Sequence, residues 1–168
     1  MAGRADSARK PVAGDPKPAR APLRSERLSS LTGFHLRLAH AALYRHFTRA
    51  TAHLKLTQKQ YAVLELIAAN PGCSQVDLAA SLGMDRATMM ALVDGLERRR
   101  LTGRSISITD RRRHDLHLTQ LGSGMLDQAR EAIGRHEAEL LEGWSAEERR
   151  AFMAALQRLR GGVGSWTD

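Results

Sequence analysis

A single cysteine, Cys73, leaves a chain of 168 residues without an intrachain disulfide and without a multi-cysteine metal site. Aromatic residues make up only 4% of the chain, poor material for the stacking platforms that hold single-stranded nucleic acid. No apolar run approaches the roughly 20 residues that span a bilayer, and the N-terminus carries no apolar signal core. A cytoplasmic protein with no membrane partner is therefore expected. Proline is nearly confined to the start, where Pro11, Pro16, Pro18 and Pro22 are four of the five. Acid is scarcer than base: 18 Asp plus Glu stand against 26 Lys plus Arg, a net charge of +8. Such an excess points to a polyanionic partner, and with so few aromatics double-stranded DNA is the first candidate.

Catalytic patterns are also missing. No serine, cysteine or carboxylate stands at nucleophile spacing, so neither an enzyme nor a cofactor is expected. The histidines do not form a metal set. His35, His40, His46 and His53 are separated by five, six and seven residues and share no helical face, while His114 and His117 fall on opposite sides of a strand. Cys73 precedes the helix-capping Ser74, and a helix N-terminus favours thiolates. Redox sensing therefore stays open beside an inert thiol.

Along the chain, residues 1–24 combine prolines with Arg4, Lys10, Lys17, Arg20 and Arg24. Low hydrophobicity with scattered charge marks a disordered basic arm. A solvated tail and an arm touching DNA or ligand fit it equally. From Ser25 the pattern turns helical, with one apolar stripe through Leu31, Phe34 and Leu38 and another through Leu36, Phe47 and Leu54. A helix apolar on two sides packs against two things, its own domain and a partner subunit. Thr57 with Gln60 forms a capping box for the next helix, which ends at Asn70-Pro71-Gly72. Ser74 caps a third helix closed by Gly83, and Asp85 caps a fourth reaching about Arg99. Between Arg104 and Leu118 the period changes to two, giving a two-stranded ribbon tipped by Asp110, Arg111, Arg112 and Arg113. After Gly122 a long helical stripe returns. Ser145 and Glu148 box a last helix that Gly161-Gly162 should stop. The fold class is mainly α with a small β-hairpin.

The third and fourth helices fit a helix-turn-helix. Ala79 is the small residue where the two must touch, Gly83 permits the left-handed turn, and Leu78, Leu82, Met84, Met89 and Leu92 fall at positions to be buried. That leaves Arg86, Ala87, Thr88, Met90 and Ala91 outward at the start of the fourth helix, the part that enters a major groove. Arg86 suits guanine or phosphate, Thr88 is a donor to phosphate or a base edge, and Met90 and Ala91 suit thymine methyls. Ser74 and Arg104 flank this unit and join the DNA-binding set. So does Arg98, first of the run Arg98 to Arg100, which suits phosphate contact and a solvated helix end alike. The ribbon tip suits a minor groove, whose negative potential attracts arginine, with Asp110 holding one in place.

These residues resemble the MarR-type regulators. The resemblance rests on Leu56-Thr57-Gln58-Lys59-Gln60-Tyr61-Ala62-Val63-Leu64, Asp77-Leu78-Ala79, Leu82-Gly83-Met84-Asp85-Arg86-Ala87-Thr88 and Leu92-Val93-Asp94-Gly95-Leu96-Glu97. Asp110-Arg111-Arg112, followed by Leu118-Thr119 and Leu121-Gly122, is its most telling part. It implies a winged helix-turn-helix over residues 56–121, flanked by dimerisation helices at 25–55 and 122–168. Arg112 is then the residue inserted in the minor groove and Asp110 its support. It also implies a homodimer released from DNA by a small effector, with His35, Leu38, Tyr61 and Met125 lining the effector zone. Arg37, with Arg24 and Arg27, would suit a larger anion, so the expected effector is a phenolic acid or an acyl- or aryl-coenzyme A thioester. The chain departs from the family pattern at Met90 and Ala91, where Thr or Ser and then Arg are common, and at Arg100, where Gly is common. The resulting expectation is a ligand-responsive dimeric repressor on a pseudo-palindromic operator. An architectural DNA-binding protein is the alternative.

Overall fold

The computed structural model describes residues 25–106 and 114–162. The basic arm and the ribbon tip, with Asp110, Arg111, Arg112 and Arg113, lie outside the described residues. The described residues divide between Arg37 and Leu38 into two units.

In the first unit, Ser25 caps a short helix, α1 (Glu26–Ser29), by accepting from the Leu28 N–H. The expected single helix from Ser25 is interrupted here. The Ser29 and Ser30 hydroxyls donate back to the carbonyls of Ser25 and Arg27 at 3.0 and 2.9 Å. Such local bonds compete with the helical ladder. A second helix, α2 (Thr32–Ala50), then begins. His35 Nε2 donates to the Ser29 carbonyl at 2.8 Å, and the Arg37 guanidinium lies 5.6 Å from the centre of the Phe34 ring.

From Leu38 on, α2 belongs to the second unit. Of its two apolar stripes only Phe47 is buried, while Leu36 and Leu38 stand exposed. Leu54, assigned by periodicity to the same helix, is instead buried from a 3-10 turn (Ala52–Leu54). Left-handed Lys55 (φ 53°) then redirects the chain.

Helix α3 (Gln58–Ala69) starts at the Thr57–Gln60 capping box and buries Val63, Leu64 and Ile67. Helix α4 (Gln75–Leu82) starts at Ser74, which forms a second box with Asp77, and stops at Gly83 in the left-handed region (φ 59°). Helix α5 (Arg86–Arg98) is capped by Asp85 and buries Met89, Val93 and Leu96, one side chain per turn. Val93 rather than Leu92 takes the central core position; Leu92 packs partly buried at its edge.

Strands β1 (Thr102–Ile106) and β2 (His114–Leu118) pair antiparallel with Arg104 opposite Leu116. Leu116 exchanges further backbone bonds of 2.9 Å with Gly72 and Cys73, so the ribbon is fastened to the turn between α3 and α4. Helix α6 (Gln120–Leu140) is capped by Thr119 and buries Leu126, Ala129, Ala132 and His136. At its first turn Gly122 lies so close to the Leu101 carbonyl that a Cβ would stand 1.8 Å from the oxygen.

The core joins Leu64 and Ile67, Leu78, Met89 and Leu96, Leu101 and Leu116, and Leu126. Burying each of these larger side chains stabilises the fold by about 1.5–3 kcal/mol. Helix α7 (Ala146–Gly162) opens at the Ser145–Glu148 box and leaves Phe152, Met153 and Leu159 exposed. It runs through Gly161 to Gly162 instead of stopping before them; an internal helical glycine costs only about 1 kcal/mol and does not forbid the helix. Among the described residues no helix is long and apolar enough to cross a membrane.

Candidate nucleic-acid interface

The α4–α5 pair is closed by local chemistry. Ala79 is buried at the crossing, and its carbonyl accepts from the Met84 N–H at 2.9 Å across the glycine turn. Asp85 then orients the start of α5. Its two carboxylate oxygens accept from the Thr88 N–H at 2.8 Å and the Thr88 hydroxyl at 2.6 Å. These bonds, the hydroxyl's first, hold the Asp85 carboxyl below its usual range.

With Met89 and Val93 inward, α5 turns Arg86, Ala87, Met90 and Ala91 outward, and Met90 is 52% exposed. The outward surface is small, apolar and edged by one cation, as the sequence implies. Thr88 differs from expectation. Its hydroxyl proton is committed to Asp85, so toward an outside ligand it offers its methyl and an accepting oxygen, not a donor.

The arginines divide by task. Arg98 is exposed at the end of α5. Arg99 turns back and donates to the carbonyls of Leu54 and Lys55, both at 2.8 Å, tying α5 to the turn before α3. Arg100 adopts φ 58° in the turn where the family commonly has glycine, and its carbonyl accepts from the Thr119 hydroxyl at 2.6 Å. Arg104 on β1 pairs with Asp94 and, at 3.1 Å, with Glu97. It braces the ribbon to α5 and is partly neutralised there.

Ser74 is nearly buried, and its hydroxyl both donates to and accepts from Asp77. Beside it a cleft of about 420 Å³ separates the α4 N-terminus from the ribbon, lined by Gln75, Arg104, His114 and Leu116. Gln75 Nε2 is buried there with no partner among the described residues. Sequence reasoning missed Gln75; its place in the first turn of a short helix was the available signal.

The residues assigned to an effector fall in both units. His35 and Arg37 belong to the first. In the second, Leu38 is exposed and Met125 packs partly buried against the core. Tyr61 stands 6.3 Å from the Phe47 ring centre, and its hydroxyl donates to Glu65 Oε1 at 2.7 Å. Burial, then the Glu65 bond, pushes the Tyr61 hydroxyl up to about 12. Glu65 in turn accepts two bonds from Arg130 on α6, the first cause of its lowered pKa. Neither Glu65 nor Arg130 was singled out by sequence. The Tyr61–Glu65 spacing of four was a visible half of the signal.

Comparison with known proteins places this geometry. The MarR family model matches residues 54–113. A putative transcriptional regulatory protein for the hcr operon of Thauera aromatica is 38% identical over 128 residues, covering 76% of this chain and 77% of that protein. Among solved structures, the transcriptional repressor CouR bound to a 23-mer DNA duplex aligns at 35% identity and a TM-score of 0.79, over 83% of this chain and 99% of CouR. CouR bound to p-coumaroyl-CoA aligns at 34% identity and a TM-score of 0.76, over 83% and 98%. With a glycine-turned helix pair, a ribbon braced to it, and this degree of identity along most of both molecules, the chain belongs to the MarR family of winged helix-turn-helix regulators.

Proposed function

We propose that this chain is a dimeric transcriptional repressor, not an enzyme, acting in the cytoplasm on a pseudo-palindromic DNA operator and released from it by an aryl- or acyl-coenzyme A thioester. The observation that carries the reading is the likeness to one repressor in two states, CouR on a DNA duplex and CouR with p-coumaroyl-CoA. The outward face of α5 supports it from the residues: Ala87, Met90 and Ala91 are small or apolar enough to lie against base edges and thymine methyls.

In this reading Arg86 meets guanine or phosphate, and Arg98 meets the backbone. The Thr88 oxygen accepts from a base amine. Ser74 places the α4 N-terminus against a phosphate, and Arg104 supports the ribbon and shares its charge with the backbone. Asp110 to Arg113 form the wing, with Arg112 in the minor groove. Two heads then meet successive major grooves about 34–36 Å apart. His35 and Arg37, and separately Leu38, Tyr61 and Met125, are the proposed effector contacts. An effector that prefers the DNA-free arrangement by about 1–3 kcal/mol lowers operator affinity by roughly 5- to 150-fold.

Selection of bound fragments from random DNA, followed by titration with p-coumaroyl-CoA and free p-coumaric acid, tests both halves. A two-fold symmetric site, released by the thioester, is expected. Absence of preference over unrelated DNA overturns the regulator. Retention of the operator through a full panel of thioesters and acids overturns the effector.

A further inference from the structure

Helix α5 begins differently from the helices opened by capping boxes. At Thr57, Ser74 and Ser145 the third helical residue reaches back as an acceptor: Gln60, Asp77 and Glu148 each take the N–H of the cap residue. At α5 the polarity is reversed. The cap residue, Asp85, is the acid, and the third residue, Thr88, is the donor. One Asp85 oxygen accepts from the Thr88 N–H at 2.8 Å, which is all that capping requires. The other accepts from the Thr88 hydroxyl at 2.6 Å, a charge-assisted bond. A hydroxyl has a single proton, so this second bond leaves Thr88 only lone pairs to offer.

Asp85 is exposed and Thr88 half-buried, three residues before the exposed Ala91 on the same side of α5. The groups that a DNA duplex could set against Thr88 differ in kind. Phosphate oxygens are acceptors, so they have no proton to give it, and the Asp85 carboxylate beside it repels their charge. Guanine N7 and O6 and thymine O4 are acceptors too. In the major groove only the adenine N6 and cytosine N4 amines donate.

We infer that Asp85 is a positioning residue for base selection: by holding the Thr88 hydroxyl proton it makes Thr88 an acceptor, and the base that Thr88 meets is adenine or cytosine. The inference rests on the reading that α5 enters a major groove. It assigns Asp85 a part that a neutral cap could not play. In Asp85→Asn the side-chain carbonyl still accepts from the Thr88 N–H, and asparagine caps as well as aspartate. Its amide then donates to the Thr88 oxygen, and the freed hydroxyl proton turns outward. The variant keeps the helix start and reverses the polarity of Thr88.

The test is selection of bound fragments from random DNA with the full parent chain, Asp85→Asn, Thr88→Val and the double variant. Thermal unfolding checks that each is folded. The parent should favour adenine or cytosine at one position of each half-site, by about three- to tenfold for one hydrogen bond. Thr88→Val identifies that position by losing the preference. Asp85→Asn should shift it to guanine or thymine by a similar factor. In the Thr88→Val background Asp85→Asn should change nothing there, whereas a general effect of the lost charge would persist. The same base preferred by Asp85→Asn and the parent overturns the inference, as does a shift that survives in the double variant. Should Asp85→Asn not fold, Thr88→Val decides alone: loss of the adenine or cytosine preference supports the inference, and its retention overturns it. A parent chain that selects no site overturns the groove-reading proposal and this inference with it; a selected site with an unmoved base overturns this inference alone.

Discussion

Arg130 on α6 grips Glu65 on α3 in a two-point fork, Nε to Oε1 at 2.9 Å and Nη2 to Oε2 at 2.8 Å. The Tyr61 hydroxyl donates to the same carboxylate, and Asp127 holds Arg130 from its other side at 3.1 Å. The fork spans the helix that opens the reading head and the long helix that leaves it. Tyr61, a proposed effector contact, is thereby wired to both.

Glu65→Gln should lower stability at neutral pH by about 1 kcal/mol, since a half-exposed pair contributes little beyond its geometry. Arg130→Ala should remove the same contribution, so the double variant should be no worse than either single one. The folded Glu65 carboxyl titrates below its unfolded value. Its contribution is therefore present above about pH 4.3 and disappears as pH falls through the folded value. Urea unfolding of the four proteins measures this; strictly additive losses would show that the fork is energetically idle.

Tyr61 predicts the opposite pH limb. Its folded hydroxyl is raised to about 12 from an unfolded value of about 10, so its share of stability is complete below pH 10 and is lost as pH climbs toward 12. Titrating the phenolate absorption, with Tyr61→Phe to assign the step, should give a midpoint near that raised value. A Tyr61 midpoint at the unfolded value would remove the buried bond from the account.

Two backbone positions can be tested by exchange. Arg100 sits at φ 58°, where an L side chain costs roughly 1–2 kcal/mol. Arg100→Gly should therefore stabilise by up to about 1 kcal/mol, while β-branched Arg100→Val should destabilise. Gly122→Ala drives a methyl into the Leu101 carbonyl and should cost about 3 kcal/mol or more. Thermal melts rank the three; a neutral Gly122→Ala would mean that the β1–α6 junction yields freely.

The arginine run should separate by readout. Arg98→Ala is expected to leave unfolding unchanged and to reduce the slope of log affinity against log salt by about one contact. Arg99→Ala loses its two carbonyl bonds and should destabilise by about 1–3 kcal/mol with the slope intact. Arg112→Ala, at the proposed wing, should weaken operator binding most. Operator titrations at several salt concentrations decide it, and indistinguishable slopes for Arg98→Ala and the parent would withdraw Arg98 from the interface.

The sequence by itself determined the reading head's plan. The caps at Thr57, Ser74, Asp85 and Ser145 and the turn at Gly83 are each settled within about four residues by side chain-to-backbone bonds and one permitted φ. Local residue types suffice to read those. The choice of Val93 over Leu92 for the core was harder, because helical phase leaves two neighbours nearly equivalent until the opposing layer is known. Only the tertiary structure decided which polar side chains work as pairs. Arg99 finds its carbonyls 44 and 45 residues away, Arg130 finds Glu65 at 65, and His46 meets His136 across two helices. Long side chains with many rotamers carry no periodic signature. Their partners are chosen by how the helices pack, and that choice gave Arg104 two carboxylate partners on α5 and set His46 against His136.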